Sequence, residues 1–163
     1  MKKFTTKDLA LSSIIGALYV ALVFAFFFIS FSDIQFRIAE VLLILVIFNP
    51  KLAFGIIVGT FVANTFAPGS FGIIDGAFGT LATMVGLIGL IAFRKKPIIG
   101  LLFPVLANGA IVSLMLVFFT DVPVTYWLSF ASVSIGQAVV LYGLGLPLYY
   151  YLKRNDHLIE KLQ

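Results

Sequence analysis

The chain has 163 residues, of which 61% are hydrophobic and 11% are charged, and it contains no cysteine. A soluble domain carries about 25% charged residues, so this composition indicates a multipass membrane protein with no sizeable extramembrane domain in these residues. The lack of cysteine excludes disulfides, thiolate metal sites and a cysteine nucleophile.

Apolar runs separated by turn signals predict six transmembrane helices in a single domain, residues 1–163, since one crossing takes about 20 residues. The predicted helices cover 9–31, 34–49, 52–66, 75–93, 98–119 and 126–152. The first run is longer than the apolar core of a signal peptide, about 7–15 residues, so we interpret it as a retained helix. Asp33 is a candidate N-cap for the second helix, and Pro147 is expected to kink the sixth. The sequence therefore predicts an all-α integral membrane fold.

Small side chains recur every four residues on the first predicted helix, at Ser13, Ala17, Ala21 and Ala25. The third helix carries a similar series at Gly55, Gly59 and Ala63. Small residues allow helices to approach closely in lipid, where association depends on packing. The ridge on the first helix therefore predicts a contact, either with a neighbouring helix or with another subunit.

Basic residues collect on the side of the membrane where six helices place both termini. Ten of the eleven lie there: Lys2, Lys3, Lys7, Lys51, Arg94, Lys95, Lys96, Lys153, Arg154 and Lys161. Only Arg37 falls on the other side. The positive-inside rule then predicts that both termini are cytoplasmic. The net charge of +4 is thus a topology signal rather than a sign of nucleic-acid binding.

Arg37 and Glu40 stand three residues apart at the head of the second apolar segment. An ionisable group in a bilayer costs about 2.5–3.5 kcal/mol on insertion scales, so it seldom persists there without a partner or a task. On a helix, this spacing places the two side chains on one face. They are expected either to form a mutual salt bridge that fixes helix packing or to form a polar wall of a ligand cavity.

Further polar residues are predicted near the outer ends or the middle of the helices. With Arg37 and Glu40, the candidate binding residues are Gln35, Asn64, Asp75, Asn108, Gln137 and Trp127. Because the opposite halves of the helices lack such groups, we predict a polar, aromatic-lined pocket that opens outward. Each residue also has a structural interpretation: Asp75 as an N-cap, Trp127 with Tyr126 in an aromatic belt, and the amides as interhelical hydrogen-bond donors.

Catalytic and metal-binding motifs are missing from the sequence. No phosphate-binding G-x-x-x-x-G-K-[ST] loop, no H-E-x-x-H and no G-x-S-x-G occurs, and the chain has one histidine. We therefore expect no catalytic or metal site and no cofactor in this chain, which leaves binding or translocation.

Four segments give the chain a family resemblance: QFRIAEVL at 35–42, FNP at 48–50, GTFVAN at 59–64 and GIIDGAFGTL at 72–81. With them, the whole chain resembles the QueT family, substrate-binding S components of energy-coupling factor transporters assigned to queuosine precursors. The resemblance implies a bacterial cell-membrane protein that works with a transmembrane coupling subunit and two cytoplasmic ATPases, which bind the ATP. The stretch from Ala17 to Ala21 is similar to the A-x-x-x-A motif by which S components dock on the coupling subunit.

The ligand that this resemblance implies is a 7-deazaguanine, and the chemistry of the candidate residues matches it. Glu40 can accept both N–H donors of the guanine edge, with Arg37 holding it ionised, and Asp75 can meet an aminomethyl cation. Asn64, Asn108 or Gln137 can serve the remaining edge. Phe36, Tyr126 or Trp127 are candidates to stack on the rings. Two alternatives to this function stay open: an S component for another vitamin-like heterocycle, and a structural membrane protein.

Overall fold

The computed structural model describes residues 4–30, 35–120 and 125–162, and within these ranges every regular element is helical. In chain order the helices are α1 (Thr6–Ala25), α2 (Phe27–Ser30), a 3-10 turn (Ile38–Leu42) leading into α3 (Leu43–Phe48), a second 3-10 turn (Pro50–Leu52) leading into α4 (Ala53–Phe66), α5 (Ile73–Ala92), α6 (Pro97–Gly100), α7 (Leu102–Phe119), α8 (Tyr126–Ala138), a π-helical segment (Val139–Gly145), α9 (Leu146–Lys153) and α10 (Asp156–Leu162).

Four helical stretches of the described chain are long and apolar enough to cross a membrane. They are Thr6–Ala25, Ile73–Ala92, Pro97–Phe119 and Tyr126–Lys153. The predictions of an all-α fold and of a multipass membrane protein are thereby confirmed. The second and third predicted helices correspond to shorter apolar stretches, Ile38–Phe48 and Pro50–Phe66, so the count of six spans stays a prediction.

Local backbone chemistry explains where the helices differ from the predicted bounds. The predicted first helix is interrupted at Phe26, and the second becomes helical only at Ile38; its candidate cap, Asp33, lies outside the described residues. Near Pro147 the chain forms a π-helical segment that ends at Gly145. Proline cannot donate to the carbonyl four residues earlier, and a wider turn is one way to absorb this loss. Beyond the sixth predicted helix, the chain forms the short helix α10.

The short helix α3 runs through the centre of the molecule, and five of its six residues, Leu43 to Ile47, are buried. A helix that is apolar on all sides is stable only when surrounded by other elements. Its central position also holds the segment that precedes it, residues 35–42, inside the bundle.

Helices α1 and α4 meet along a seam of small residues. A Cβ atom on Gly16 would lie 2.6 Å from the carbonyl oxygen of Gly55, and one on Gly59 would lie 2.6 Å from that of Gly16. The Ser12 hydroxyl accepts from the Gly55 N–H at 2.8 Å and donates to the Lys51 carbonyl at 3.3 Å. The seam therefore depends on direct contact between the two backbones.

The predicted ridge on α1 is not this seam. All four of its members, Ser13, Ala17, Ala21 and Ala25, are exposed on the outer face of α1. Ser13 and Ala17 line an open groove between α1 and α4. The glycines of α4 do pack on a neighbouring helix, whereas the interpretation of the α1 ridge as an internal contact is wrong.

Both ends of the described chain lie at one end of the bundle, which we call the termini end. In the first turn of α1, Asp8 pairs with Lys51 at 2.6 Å. The Asn49 side-chain amide donates to the carbonyl of Leu162, in α10, at 2.6 Å. The side of the membrane that this end faces stays a prediction.

Candidate ligand-binding site

Residues 35–42 bring three polar side chains into the protein interior: Gln35, Arg37 and Glu40 are 8%, 3% and 0% exposed. The helical turn begins only at Ile38, and Arg37 has a non-helical backbone with φ −78° and ψ 81°. The rule that residues three apart share one face requires that both be helical. Arg37 and Glu40 therefore turn toward different neighbours.

Arg37 forms an ion pair with Asp75 and not with Glu40. Its Nη2 atom lies 3.7 Å from Oδ1 of Asp75, and both side chains are 3% exposed. The predicted mutual salt bridge with Glu40 is therefore wrong. Asp75 is not the N-cap of α5 either: that position belongs to Gly72, and Asp75 accepts from the Phe71 N–H at 3.3 Å from within the first turn. A carboxylate there is favoured by the helix dipole.

Gly79 makes room for two of the predicted residues against α5. A Cβ atom at this position would lie 3.5 Å from Nη1 of Arg37 and would collide with Nδ2 of Asn64. Asn64 is 1% exposed and comes from the end of α4. Arg37, Asn64 and Asp75, which are far apart in the sequence, thus meet at one place on α5.

Glu40 is held by Tyr19, which is not among the candidate residues predicted from the sequence. The Tyr19 hydroxyl donates to its Oε1 at 2.7 Å, and both side chains are 0% exposed. Gln137 lies near the Glu40 carboxylate and Thr60 near the Tyr19 hydroxyl, but neither forms a hydrogen bond there. A tyrosine in the middle of an apolar helix needs a partner for its hydroxyl, and this was the available signal.

The main chain of Gln35 connects this segment to α8. A Cβ atom on Gly136 would collide with the carbonyl of Gln35, so the missing side chain allows the two backbones to touch. The next residue of α8 is Gln137, which is 1% exposed. Predicted binding residues from residues 35–42, α4, α5 and α8 are therefore brought together.

A polar face continues along α5 into the bundle. Asp75, Gly79 and Thr83 follow one another at intervals of four residues, over about 12 Å at 1.5 Å per residue. Asn108, on α7, lies near the level of Thr83, because Gly86 packs against Pro104 one turn away. The Asn108 amide donates to the Pro104 carbonyl at 3.0 Å.

Several buried polar atoms have no hydrogen-bond partner among the described residues. The acceptors include Gln35 Oε1, Glu40 Oε2 and Asn108 Oδ1, the amide donors are Asn64 Nδ2 and Gln137 Nε2, and Thr60 and Thr83 each contribute a hydroxyl. A buried group without a partner costs about 1–3 kcal/mol, and natural proteins leave few of them. The cluster is therefore suited to a ligand that has both donors and acceptors on its edges.

Trp127 lies apart from this cluster. Its side chain is 75% exposed, and its ring contacts Tyr126 and Phe130 at centroid distances of 5.2 and 6.2 Å. Such an arrangement is typical of an aromatic belt at the membrane surface.

The described residues also contain no group of three or more His, Asp or Glu side chains that could hold a metal ion.

Comparison with known proteins gives this cluster a context. A family model described as QueT transporter matches residues 9–154. The chain belongs to the QueT transporter family. This is a family of transporters and not of enzymes, which confirms the prediction drawn from the missing catalytic motifs.

The chain is also similar to a curated relative, "Queuosine precursor transporter QueT" of Lactococcus lactis subsp. cremoris, with 35% identity over 98 residues. The matched part is 58% of this chain and 56% of the relative, so it spans little more than half of that protein. No solved structure matches the chain. The family match includes every residue of the buried polar cluster.

Proposed function

We propose that this chain is the substrate-binding S component of an energy-coupling factor importer, and that it captures a queuosine precursor from the outer side of the membrane. The ligand is a 7-deazaguanine that carries a 7-aminomethyl or a 7-cyano group. One observation carries the proposal: Glu40 is fully buried, one of its oxygens has no hydrogen-bond partner among the described residues, and amide donors lie in the same cluster.

The guanine edge matches this set of atoms. It presents a ring N–H beside an exocyclic amine, and a carboxylate accepts both in a charge-assisted pair. Oε1 of Glu40 already accepts from Tyr19, but each oxygen has a second lone pair available. The Asn64 or Gln137 amide can then donate to the ligand carbonyl.

The charges of the cluster bear on the substituent at position 7. Glu40 and Asp75 are acidic and Arg37 is basic, so these three side chains together carry one negative charge when all are ionised. An aminomethyl group is a cation at neutral pH and would balance this charge, whereas a cyano group would not. We therefore expect the aminomethyl compound to bind more tightly.

Uptake also requires partners, because the sequence has no phosphate-binding loop for ATP. We propose that a transmembrane coupling subunit docks on the exposed ridge of α1 and that two cytoplasmic ATPases drive transport. The exposed positions of Ala17 and Ala21, beside the groove between α1 and α4, support this docking.

Calorimetric titration of the purified protein with guanine and the two 7-deazaguanines tests the proposal. We expect tight binding of a deazaguanine and weaker binding of guanine. If the ligand is another heterocycle, mass spectrometry of the compound that copurifies with the protein would identify it, and the proposed ligand would be wrong. A thermal-shift screen with no responding compound would favour the structural alternative and contradict the proposal.

A further inference from the structure

Tyr19 is among the largest fully buried side chains of the described chain, and it is the polar group by which α1 reaches the cluster. The other buried polar residues of α1, Asp8 and Ser12, contact the turn after α3 and the start of α4 at the termini end. The hydrogen bond from Tyr19 to Glu40 therefore needs its own explanation.

We propose that Tyr19 is a positioning residue for ligand recognition: it holds Oε1 of Glu40 and thereby presents Oε2 to the ligand. This inference rests on the proposed function. The terminal torsion of a glutamate has a broad energy minimum, so an unheld carboxylate can rotate. A hydrogen bond of 2.7 Å to Oε1 restrains the rotation of the carboxylate, and it leaves both lone pairs of Oε2 and one lone pair of Oε1 available to the ligand.

The surroundings of Tyr19 fit this role. Its ring is 0% exposed and so cannot move far, and Thr60 lies beside its hydroxyl. Ala17 and Ala21, two residues before and after Tyr19, are exposed on the opposite side of α1. One helix therefore orients the ligand-binding carboxylate and also carries the ridge proposed for docking.

The substitution Tyr19→Phe removes the hydroxyl and keeps the ring. We expect the affinity for a 7-deazaguanine to fall about tenfold, the effect of losing one hydrogen bond to a charged group. The preference over the 7-deazahypoxanthine analogue, which lacks the exocyclic amine, should fall by a similar factor because the carboxylate is no longer aimed. A purely structural role would not change this preference.

Tyr142→Phe is a matched control, since the Tyr142 hydroxyl also donates at 2.7 Å, to the carbonyl of Ile98 away from the cluster. It should leave affinity and preference unchanged. In a Glu40→Gln background, Tyr19→Phe should alter affinity less than twofold, because the residue acts through Glu40. If Tyr19→Phe does not fold, Thr60→Val provides a weaker change, with a smaller loss of the same preference expected.

The outcomes separate the two proposals. If the unmodified protein binds no deazaguanine, the proposed function fails and this inference fails with it. If it binds one but the effects of Tyr19→Phe and Glu40→Gln are simply additive, or the preference for the exocyclic amine is kept, the proposed function stands and Tyr19 is not a positioning residue.

Discussion

Buried charged side chains have different hydrogen-bond partners at the termini end of the helix bundle and in the buried polar cluster that we propose binds the ligand. At the termini end, Asp8 accepts from the Thr5 N–H at 2.7 Å, the Thr5 hydroxyl at 2.6 Å and the Lys51 ammonium at 2.6 Å. In the ligand cluster, the Arg37–Asp75 distance is 3.7 Å, and Oε2 of Glu40 has no partner among the described residues. The Asp8 carboxylate thus accepts three short hydrogen bonds, all on Oδ2. Hydrogen-bonding capacity is left over where we place the ligand.

Replacing Glu40 in the cluster and Asp8 at the termini end tests this difference most strongly. Glu40→Gln should weaken deazaguanine binding about 30-fold or more, because it replaces the carboxylate that accepts two ligand N–H groups, and a hydrogen bond to a charged group contributes about 1.5–3 kcal/mol. Uptake should fall with it. Asp8→Asn is the matched control at the termini end and should leave the dissociation constant unchanged in calorimetry. Equal effects of the two substitutions would remove the distinction between the ends.

Ala17→Trp tests whether the outer face of α1 is separate from the ligand cluster. We expect it to abolish uptake of labelled ligand in cells that contain the partner subunits, because a large ring blocks close helix docking. Binding to the purified protein should be preserved. Ala131→Trp, an exposed alanine on α8, serves as control and should transport normally. Loss of binding together with uptake would instead indicate that the outer face of α1 is not separate from the ligand cluster, which would contradict the docking proposal.

Gly16→Ala tests the contact that joins the two helices. The added methyl would meet the Gly55 carbonyl at 2.6 Å, and overpacking of this kind costs about 1–3 kcal/mol of stability. We expect a melting temperature several degrees lower in detergent. A Cβ atom on Gly143 would contact nothing within 4 Å, so Gly143→Ala should melt as the unmodified protein does. Equal melting temperatures for the two variants would contradict the close backbone contact between α1 and α4 at Gly16.

Trp127→Phe should have the smallest effect. Because the side chain is 75% exposed and packs on Tyr126 and Phe130, we expect the ligand affinity to stay within about twofold. Titration of the variant with the deazaguanine measures this. A tenfold loss would bring Trp127 back to the site as a stacking residue.

The sequence predicted several site residues individually, because each breaks a local rule. An acidic or amide side chain inside an apolar segment is costly, and this marks Glu40, Asn64 and Gln137 without any knowledge of the fold. Tyr19 was not predicted as a site residue, because a tyrosine is common in membrane helices. Its importance depends on the hydroxyl's partner, which sequence spacing does not reveal.

The sequence by itself determined the membrane class, the family, the apolar segments and which side chains are too polar for their surroundings. These follow from composition, hydropathy and motifs, which are local properties of the chain. Only the tertiary structure decided that Arg37 pairs with Asp75, that Glu40 pairs with Tyr19 and that the α1 ridge faces outward. Those outcomes depend on how distant helices pack, and contacts made possible by Gly16 and Gly79 fix that packing.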